Sequence, residues 1–130
     1  MIVMIGVGSN SPDKSHQMEL ALEFLCSSLG NFRCSSVYST PALNGVDADY
    51  LNAVASGSCD MTIDEVVSIL KEYECRCGRK KGDKSVLIDL DLVIADGSVL
   101  RPRDMDREYF RLGYRELIST DQAPSDRILR

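Results

Sequence analysis

Histidine and tryptophan are the scarcest residues of this sequence: the 130 residues include no tryptophan and a single histidine, His16. His16 stands beside Lys14 and Ser15, where we expect a surface position. A hydrolase with a Ser-His-Asp triad or a Cys-His pair needs a histidine beside its nucleophile, and a zinc site needs several His or Cys ligands. A lone histidine in this position argues against all of these sites.

Long hydrophobic runs are also missing. A membrane-spanning helix needs about 18 or more consecutive apolar residues, and no stretch of the sequence approaches that length. The apolar start, residues 1–8, is too short for a signal peptide and has no basic residue before it, so we expect a buried strand there. The five cysteines are an odd number. Without an export signal, we expect reduced thiols in a cytoplasmic protein.

Basic residues are rare in the first half of the chain. Residues 1–70 contain two, against eight acidic residues, whereas residues 71–130 contain thirteen against twelve, and the whole chain has a net charge of -5. Ten of these thirteen basic residues form two groups: Arg76, Arg79, Lys80, Lys81 and Lys84, then Arg101, Arg103, Arg107, Arg111 and Arg115. An acidic protein with local basic clusters suits a small polyanion better than a nucleic acid. A solvated charged face remains the alternative for either cluster alone.

The composition, 44% hydrophobic and 27% charged, is typical of a globular protein and predicts a single domain over residues 1–130. Hydrophobic periodicity, turn residues and a capping-box signature at Thr62 predict its elements. We expect strands over 2–8, 32–38, 50–59 and 86–95, helices over about 14–29 and 62–78, and a short helical segment around 104–117. The order predicts an α+β, ferredoxin-like βαββαβ sandwich. In this arrangement an antiparallel sheet carries both helices on one face, here followed by a short C-terminal extension.

Two aspartates interrupt the most apolar predicted strand. Asp89 and Asp91 are two residues apart, so their side chains point to the same face of that strand. Burying unpaired carboxylates is costly, and a pair of them offers oxygen ligands of the kind that Mg²⁺ shares with water and substrate phosphates. The alternative is that each carboxylate belongs to a structural salt bridge.

No phosphate-binding P-loop accompanies this carboxylate pair. Residues 78–85 resemble one, but the segment is a residue short, carries Asp83 where glycine belongs, and joins a predicted helix to a strand. Phosphates are instead expected to meet the basic loop 79–85. On the predicted strand 50–59, Tyr50 and Asn52 could stack on a flat heterocycle and hydrogen-bond to its edge, or be a surface tyrosine and a structural asparagine.

Five motifs in a fixed order resemble the 6-hydroxymethyl-7,8-dihydropterin pyrophosphokinase family of the folate pathway. The resemblance covers about residues 2–112 and rests on Gly8-Ser9-Asn10, Tyr38-Ser39-Thr40-Pro41, Asp49-Tyr50-Leu51-Asn52, Glu74 with Gly78-Arg79, and Ile88-Asp89-Leu90-Asp91-Leu92. The family has a ferredoxin-like fold, which agrees with the predicted element order. It transfers diphosphate from ATP to the pterin's hydroxymethyl oxygen and releases AMP.

The resemblance implies a role for each matching residue. Asp89 and Asp91 would bind two Mg²⁺ ions that bridge the ATP phosphates, and Arg79 would act with them in catalysis by steadying the polyphosphate. The implied pterin-binding residues are Thr40, Leu43, Tyr50, Asn52 and Phe110. The implied nucleotide-binding residues are Glu74, Arg79 and Arg107. Lys84 and Arg103 stand where the chain departs from the family pattern, and we expect them to bind the nucleotide as well. The implied partners are therefore two small molecules, and we expect a monomer that binds neither nucleic acid nor membrane.

The chain departs from the family pattern at two motifs, and its C-terminus is shorter than usual for the family. Family members usually carry Trp-Gly-Pro-Arg before the Asp-Leu-Asp strand, whereas residues 83–87 form a shorter loop here. Lys80, Lys81 or Lys84 could replace the missing charge, as point charges without the fork of a guanidinium. The family's Pro-His element is Pro102-Arg103. One alternative is therefore a catalytically impaired relative that acts as a nucleotide- or pterin-binding module. Another is an unrelated ferredoxin-like regulatory domain in which Asp89 and Asp91 are structural.

Overall fold

The computed structural model describes residues 1–78 and 86–121. They form a mixed α/β structure with one antiparallel sheet. Its elements are β1 (Ile2–Ser9), α1 (Lys14–Ser28), β2 (Gly30–Cys34), β3 (Tyr38–Thr40), β4 (Tyr50–Ser58), α2 (Ile63–Arg76), β5 (Asp89–Ala95), β6 (Ser98–Val99), α3 (Pro102–Met105) and α4 (Glu108–Asp121). The predicted capping box is confirmed, since Thr62 and Glu65 exchange side-chain and backbone hydrogen bonds at the start of α2.

The sheet has the strand order β2-β4-β1-β5-β6, with β3 paired to β4, so β1 lies between β4 and β5. Gly6 of β1 is opposite Val54 on one side and Asp91 on the other. Gly8 is likewise opposite Asn52 and Asp89. Directly opposed residues of antiparallel strands point to the same face. The register therefore places Asn52 of β4 and Asp89 and Asp91 of β5 on one face of the sheet, beside the two glycines.

Each face of the sheet has its own hydrophobic core. On the face of Val3, Ile5 and Val7, buried residues of α1 and α2 pack together. On the opposite face, Phe110 and Leu117 of α4 pack against residues of β4 and β5. The helical segment predicted around 104–117 is present as two helices, α3 and α4, and α4 covers the second face of the sheet. The helical segment was expected from the sequence, but the face of the sheet that it covers was not.

The predicted strand 32–38 is interrupted in the structure. The hydroxyl of Ser35 accepts a hydrogen bond from the backbone N–H of Val54 at 2.9 Å, and the N–H of Ser35 donates to the Val54 carbonyl at 2.8 Å. A side-chain oxygen therefore takes the place of a backbone acceptor, and the ladder resumes only at Tyr38. Such local competition by serine is difficult to recognise from strand propensity.

The last predicted strand also begins later than expected, at Asp89 rather than residue 86. Ser9 and Asn10, at the end of β1, bind the segment before it. The Ser9 hydroxyl donates to the Leu87 carbonyl, while Asn10 exchanges two hydrogen bonds with the backbone of Val86. These bonds fix the chain immediately before the aspartate pair. They give the Gly8-Ser9-Asn10 motif a structural role.

Substitution of Ser35 tests the proposed cause of the strand interruption. Ser35→Ala removes the buried acceptor of the Val54 N–H and should lower the free energy of unfolding by about 1–3 kcal/mol. Ser39→Ala, at an exposed serine of β3, is the matched control and should change stability little. Urea unfolding followed by circular dichroism measures both. Equal stabilities of the two variants would contradict this account.

Candidate functional site

A cavity of about 390 Å³ lies on the α4 side of the sheet, beneath the loop between β3 and β4. It brings together seven of the residues predicted to form the site: Thr40, Leu43, Tyr50, Asn52, Asp89, Asp91 and Phe110. They come from two strands of the central sheet, from the end of β3 and its following loop, and from α4. The cavity therefore joins the proposed heterocycle-binding residues to the proposed metal ligands.

Gly6 and Gly8 form part of the cavity floor. A Cβ at Gly8 would lie 3.1 Å from Oδ1 of Asn52, and one at Gly6 would lie 3.3 Å from the ring of Phe110. Both distances are shorter than ordinary van der Waals contacts, so a side chain at either position would displace a lining residue. The absence of side chains at these two positions helps to keep the cavity open.

Asn52 is held in one orientation by a buried hydrogen bond. Its Nδ2 donates to the hydroxyl of Thr40 at 2.6 Å, and both residues are buried. This bond also ties the start of the loop after β3 to β4. The side chain is therefore preorganised, with Oδ1 above Gly8 at the cavity floor.

Two aromatic residues contribute to the cavity from different directions. Tyr50 begins β4 and is half-buried, whereas Phe110, in the first turn of α4, is almost fully buried. Phe110 is held by Val54 and Val93 in the core of the α4 face and stacks on Tyr114 with ring centroids 6.0 Å apart. Leu43 lies in the covering loop and is 70% exposed, so its apolar side chain is available to a ligand.

Asp89 and Asp91 of β5 form the acidic part of the cavity lining. Burial, followed by the nearby charge of Asp89, raises the pKa of Asp91 to about 7. Two cations oppose this effect: Lys71 Nζ and Arg101 Nη1 each lie 3.8 Å from Oδ1 of Asp91. These ion pairs are longer than hydrogen bonds. The two cations lower the free-energy cost of ionising Asp91 but leave its carboxylate open to the cavity.

The donor atoms of Asp89 and Asp91 suit Mg²⁺, which prefers oxygen ligands and commonly takes only one or two protein carboxylates. Within residues 1–78 and 86–121, no group of three or more His, Cys, Asp or Glu side chains is arranged to hold a metal ion. A purely protein-built metal cage is therefore not a feature of the described chain. Two carboxylates beside an open cavity fit an ion that completes its coordination with substrate and water.

Glu74 lies behind the aspartate pair rather than in the cavity lining. Its Oε2 accepts a 2.7 Å hydrogen bond from the backbone N–H of Leu90, the residue between Asp89 and Asp91. Burial raises the pKa of Glu74, and the Leu90 hydrogen bond opposes the shift. Lys71 lies 3.4 Å from its other oxygen. Glu74 thereby attaches the last turns of α2 to β5 at the aspartates.

All five predicted pterin-binding residues line the cavity, but the predicted nucleotide-binding residues that the structure describes do not. Arg103, in α3, and Arg107, between α3 and α4, are exposed and do not line the cavity. Arg79 and Lys84 lie outside the described residues, as does the rest of the predicted basic loop 79–85.

The lining residues that the sequence did not assign to the site include three that contact one another: Arg101, Asp104 and Tyr109. The carboxylate of Asp104 accepts hydrogen bonds from Nε of Arg101 and from the hydroxyl of Tyr109. The available signal was the spacing of Arg101 and Asp104 across Pro102, since residues three apart meet on one side of a helical turn. That spacing was hidden among the many basic residues of this region.

Comparison with known proteins identifies a family. The family model described as 7,8-dihydro-6-hydroxymethylpterin-pyrophosphokinase (HPPK) matches residues 4–119, a span that includes every residue of the cavity lining. No curated protein matches the chain. In the described part of the chain, no helix is both long and apolar enough to cross a membrane.

The raised pKa of Asp91 predicts how the metal-free protein responds to pH. The pKa is about 7 in the folded state against an ordinary value of 3.8, so between these values the folded state binds more protons than the unfolded state. Stability that is present below pH 4 should therefore fall as the pH rises towards 7. Asp91→Asn should reduce this dependence and be more stable than the wild type at pH 8.

Urea unfolding in EDTA between pH 4 and 8 measures the effect. Asp60→Asn, at an exposed aspartate, controls for the loss of one carboxylate. If Asp91→Asn and the wild type follow parallel stability curves, the burial of Asp91 is not the source of the pH dependence.

Proposed function

The chain belongs to the 7,8-dihydro-6-hydroxymethylpterin-pyrophosphokinase (HPPK) family, and we propose that it transfers diphosphate from ATP to 6-hydroxymethyl-7,8-dihydropterin, a step of folate biosynthesis. The products are the pterin diphosphate and AMP. One observation carries the proposal: a single cavity contains both the carboxylate pair and the residues suited to a flat, hydrogen-bonding heterocycle. Family membership also argues against an unrelated regulatory domain.

The pterin is proposed to lie between the β3–β4 loop and the sheet. Tyr50 and Phe110 provide aromatic surfaces for the ring system, while the fixed amide of Asn52 bonds to its polar edge. Thr40 and Leu43 complete the site from the loop side. Because Asn52 is already oriented by Thr40, little ordering is required when the ligand binds.

ATP is proposed to place its phosphates beside Asp89 and Asp91, the residues that would hold two Mg²⁺ ions. The bound ions would neutralise charge on the polyphosphate. Glu74 positions both aspartates through Leu90. Arg79, Lys84, Arg103 and Arg107 are proposed to approach the nucleotide from the basic loop and from the region of α3, with Arg79 acting on the transferred group.

In this reaction the main task of the protein is to position the attacking hydroxyl and the phosphates of ATP. A bond forms between the hydroxymethyl oxygen and the β-phosphorus of ATP, and the bond from that phosphorus to the bridging oxygen of the α-phosphate breaks. AMP leaves with that oxygen, and the hydroxyl proton is released. The pterin residues fix the attacking oxygen at one end of the cavity, and the aspartates fix the phosphates at the other.

The same proposal carries expectations for the domain organisation, cellular location and oligomeric state of the protein. We infer that residues 1–130 form a single ferredoxin-like domain, which the antiparallel pairing of β1 with both β4 and β5 supports. We infer a cytoplasmic monomer that acts on small molecules and does not bind nucleic acid.

Product analysis tests the proposed reaction. The purified protein with ATP, Mg²⁺ and the hydroxymethyl dihydropterin should form AMP and pterin diphosphate in equal amounts, and omission of Mg²⁺ or pterin should abolish both. Asp89→Asn and Asp91→Asn should each remove turnover while the protein remains folded; Asp60→Asn is the control. Binding of both ligands without AMP would replace the proposal with the binding-module interpretation.

Tyr50 provides a separate test of the pterin site. Tyr50→Ala should weaken pterin binding roughly tenfold or more, because stacking of an aromatic side chain on a planar base contributes about 1–3 kcal/mol. Tyr50→Phe keeps the ring and should retain most of the affinity. Calorimetric titration with the pterin measures both variants. Equal losses in Tyr50→Ala and Tyr50→Phe would assign the effect to the hydroxyl rather than to stacking.

A further inference from the structure

The charge of the cavity lining is unbalanced. Among the lining residues that the structure describes, four are acidic, namely Asp47, Asp89, Asp91 and Asp104, and only Arg101 is basic. A cavity proposed to receive a polyphosphate needs positive groups that point towards it. Arg101 therefore stands out as a candidate ligand for phosphate, although the family resemblance assigned it no role.

The local sequence fixes the backbone at Arg101. Pro102 occupies the first position of α3, where its restricted φ angle favours the start of a helix. Arg101 precedes it as the N-terminal cap residue, and Asp104 follows within the same turn. The side chains of Arg101 and Asp104 consequently meet at a defined place beside β5.

The side chain of Arg101 is oriented by Asp104. Asp104 is buried, and its two carboxylate oxygens are used in different directions: one accepts from Nε of Arg101, the other from the hydroxyl of Tyr109. The hydrogen bond to Asp104 raises the pKa of Arg101. The guanidinium is thus held by its inner nitrogen, while its terminal nitrogens extend past Asp104.

The terminal nitrogens of Arg101 lie beside the proposed metal ligands. Nη1 is 3.8 Å from Oδ1 of Asp91, a separation that leaves this nitrogen without a hydrogen bond to the carboxylate. The Arg101 side chain is 49% exposed, whereas that of Asp91 is 17% exposed. The guanidinium therefore has room to approach a ligand that enters the cavity, next to the carboxylates that would share it.

We propose that Arg101 is a phosphate-binding residue of this site and contacts the ATP polyphosphate beside Asp89 and Asp91. The proposal rests on the proposed function, because it assumes that the phosphates lie at the aspartate pair. A planar guanidinium held at Nε presents its terminal N–H groups from a defined position, as phosphate recognition by arginine requires. Arg101 would thereby supply, from the start of α3, a cation that the family pattern usually places in the loop before β5.

The competing interpretation is that Arg101 only balances the charges of Asp91 and Asp104. Arg101→Gln distinguishes the two, because glutamine can still donate to Asp104 but carries no charge. Arg101→Lys keeps the charge but loses the fork geometry. Arg115→Ala removes one exposed basic residue of α4 and serves as the control for net charge, since Arg115 does not line the cavity.

Calorimetric titrations with Mg²⁺ and either inorganic tripolyphosphate or α,β-methylene-ATP should show binding to the wild type. Arg101→Gln should weaken both by at least tenfold, Arg101→Lys by less, and Arg115→Ala by less than twofold. Pterin affinity should be the same in all four proteins. Arg101→Gln with unchanged affinity for both polyphosphates and lower thermal stability would overturn the proposal in favour of charge balance.

The same proteins separate this proposal from the proposed function. If the wild type forms AMP and pterin diphosphate but Arg101→Gln binds and reacts normally, only the role of Arg101 is wrong. If Arg101→Gln loses polyphosphate affinity while the wild type forms no AMP, Arg101 binds phosphate in a protein that lacks the proposed activity. A wild type that binds neither polyphosphate would overturn both.

Discussion

The placement of two carboxylates on one face of β5 is the constraint on which the site depends. Each is opposite a glycine of β1, so the floor beside them is open. Partial burial makes ionisation of Asp91 costly, and the neighbouring Asp89 adds repulsion. The surrounding structure opposes this cost with Lys71 from α2 and Arg101 before α3. A ligand that brings divalent cations would relieve this repulsion between the two aspartates more completely. The repulsion in the metal-free protein would therefore favour binding of the proposed Mg²⁺ ions.

The sheet divides the molecule into a supporting side and a functional side. α1 and α2 fill one face with an apolar core, and Glu74 of α2 reaches the edge of β5 to fix the backbone between the aspartates. α4 covers the other face only in part, with Phe110 at the boundary between its core and the cavity. Asn52, Asp89 and Asp91 thus stand on strands of the sheet, whereas Leu43 belongs to an exposed loop.

The site needs positive charge for the proposed phosphates, and the chain lacks the family's usual source of it. Residues 83–87 do not contain the usual Trp-Gly-Pro-Arg element, so a phosphate ligand would need another source of positive charge. The sequence suggests that Lys80, Lys81 or Lys84 of the basic loop is that source. The described structure provides an additional candidate from a different element, since Asp104 directs Arg101 towards the aspartates. These two sources are not exclusive, because both can approach one polyphosphate.

Local rules determined the helices, the capping box at Thr62 and the shared face of Asp89 and Asp91, because each depends on residues near one another in the chain. Ordered motifs determined the family. The tertiary structure alone decided that α4 covers the second face and that a serine interrupts a strand. It also decided that Arg101 lines the cavity. These features depend on contacts between distant segments, and a basic residue among many others carries no local mark of the carboxylates that it will meet.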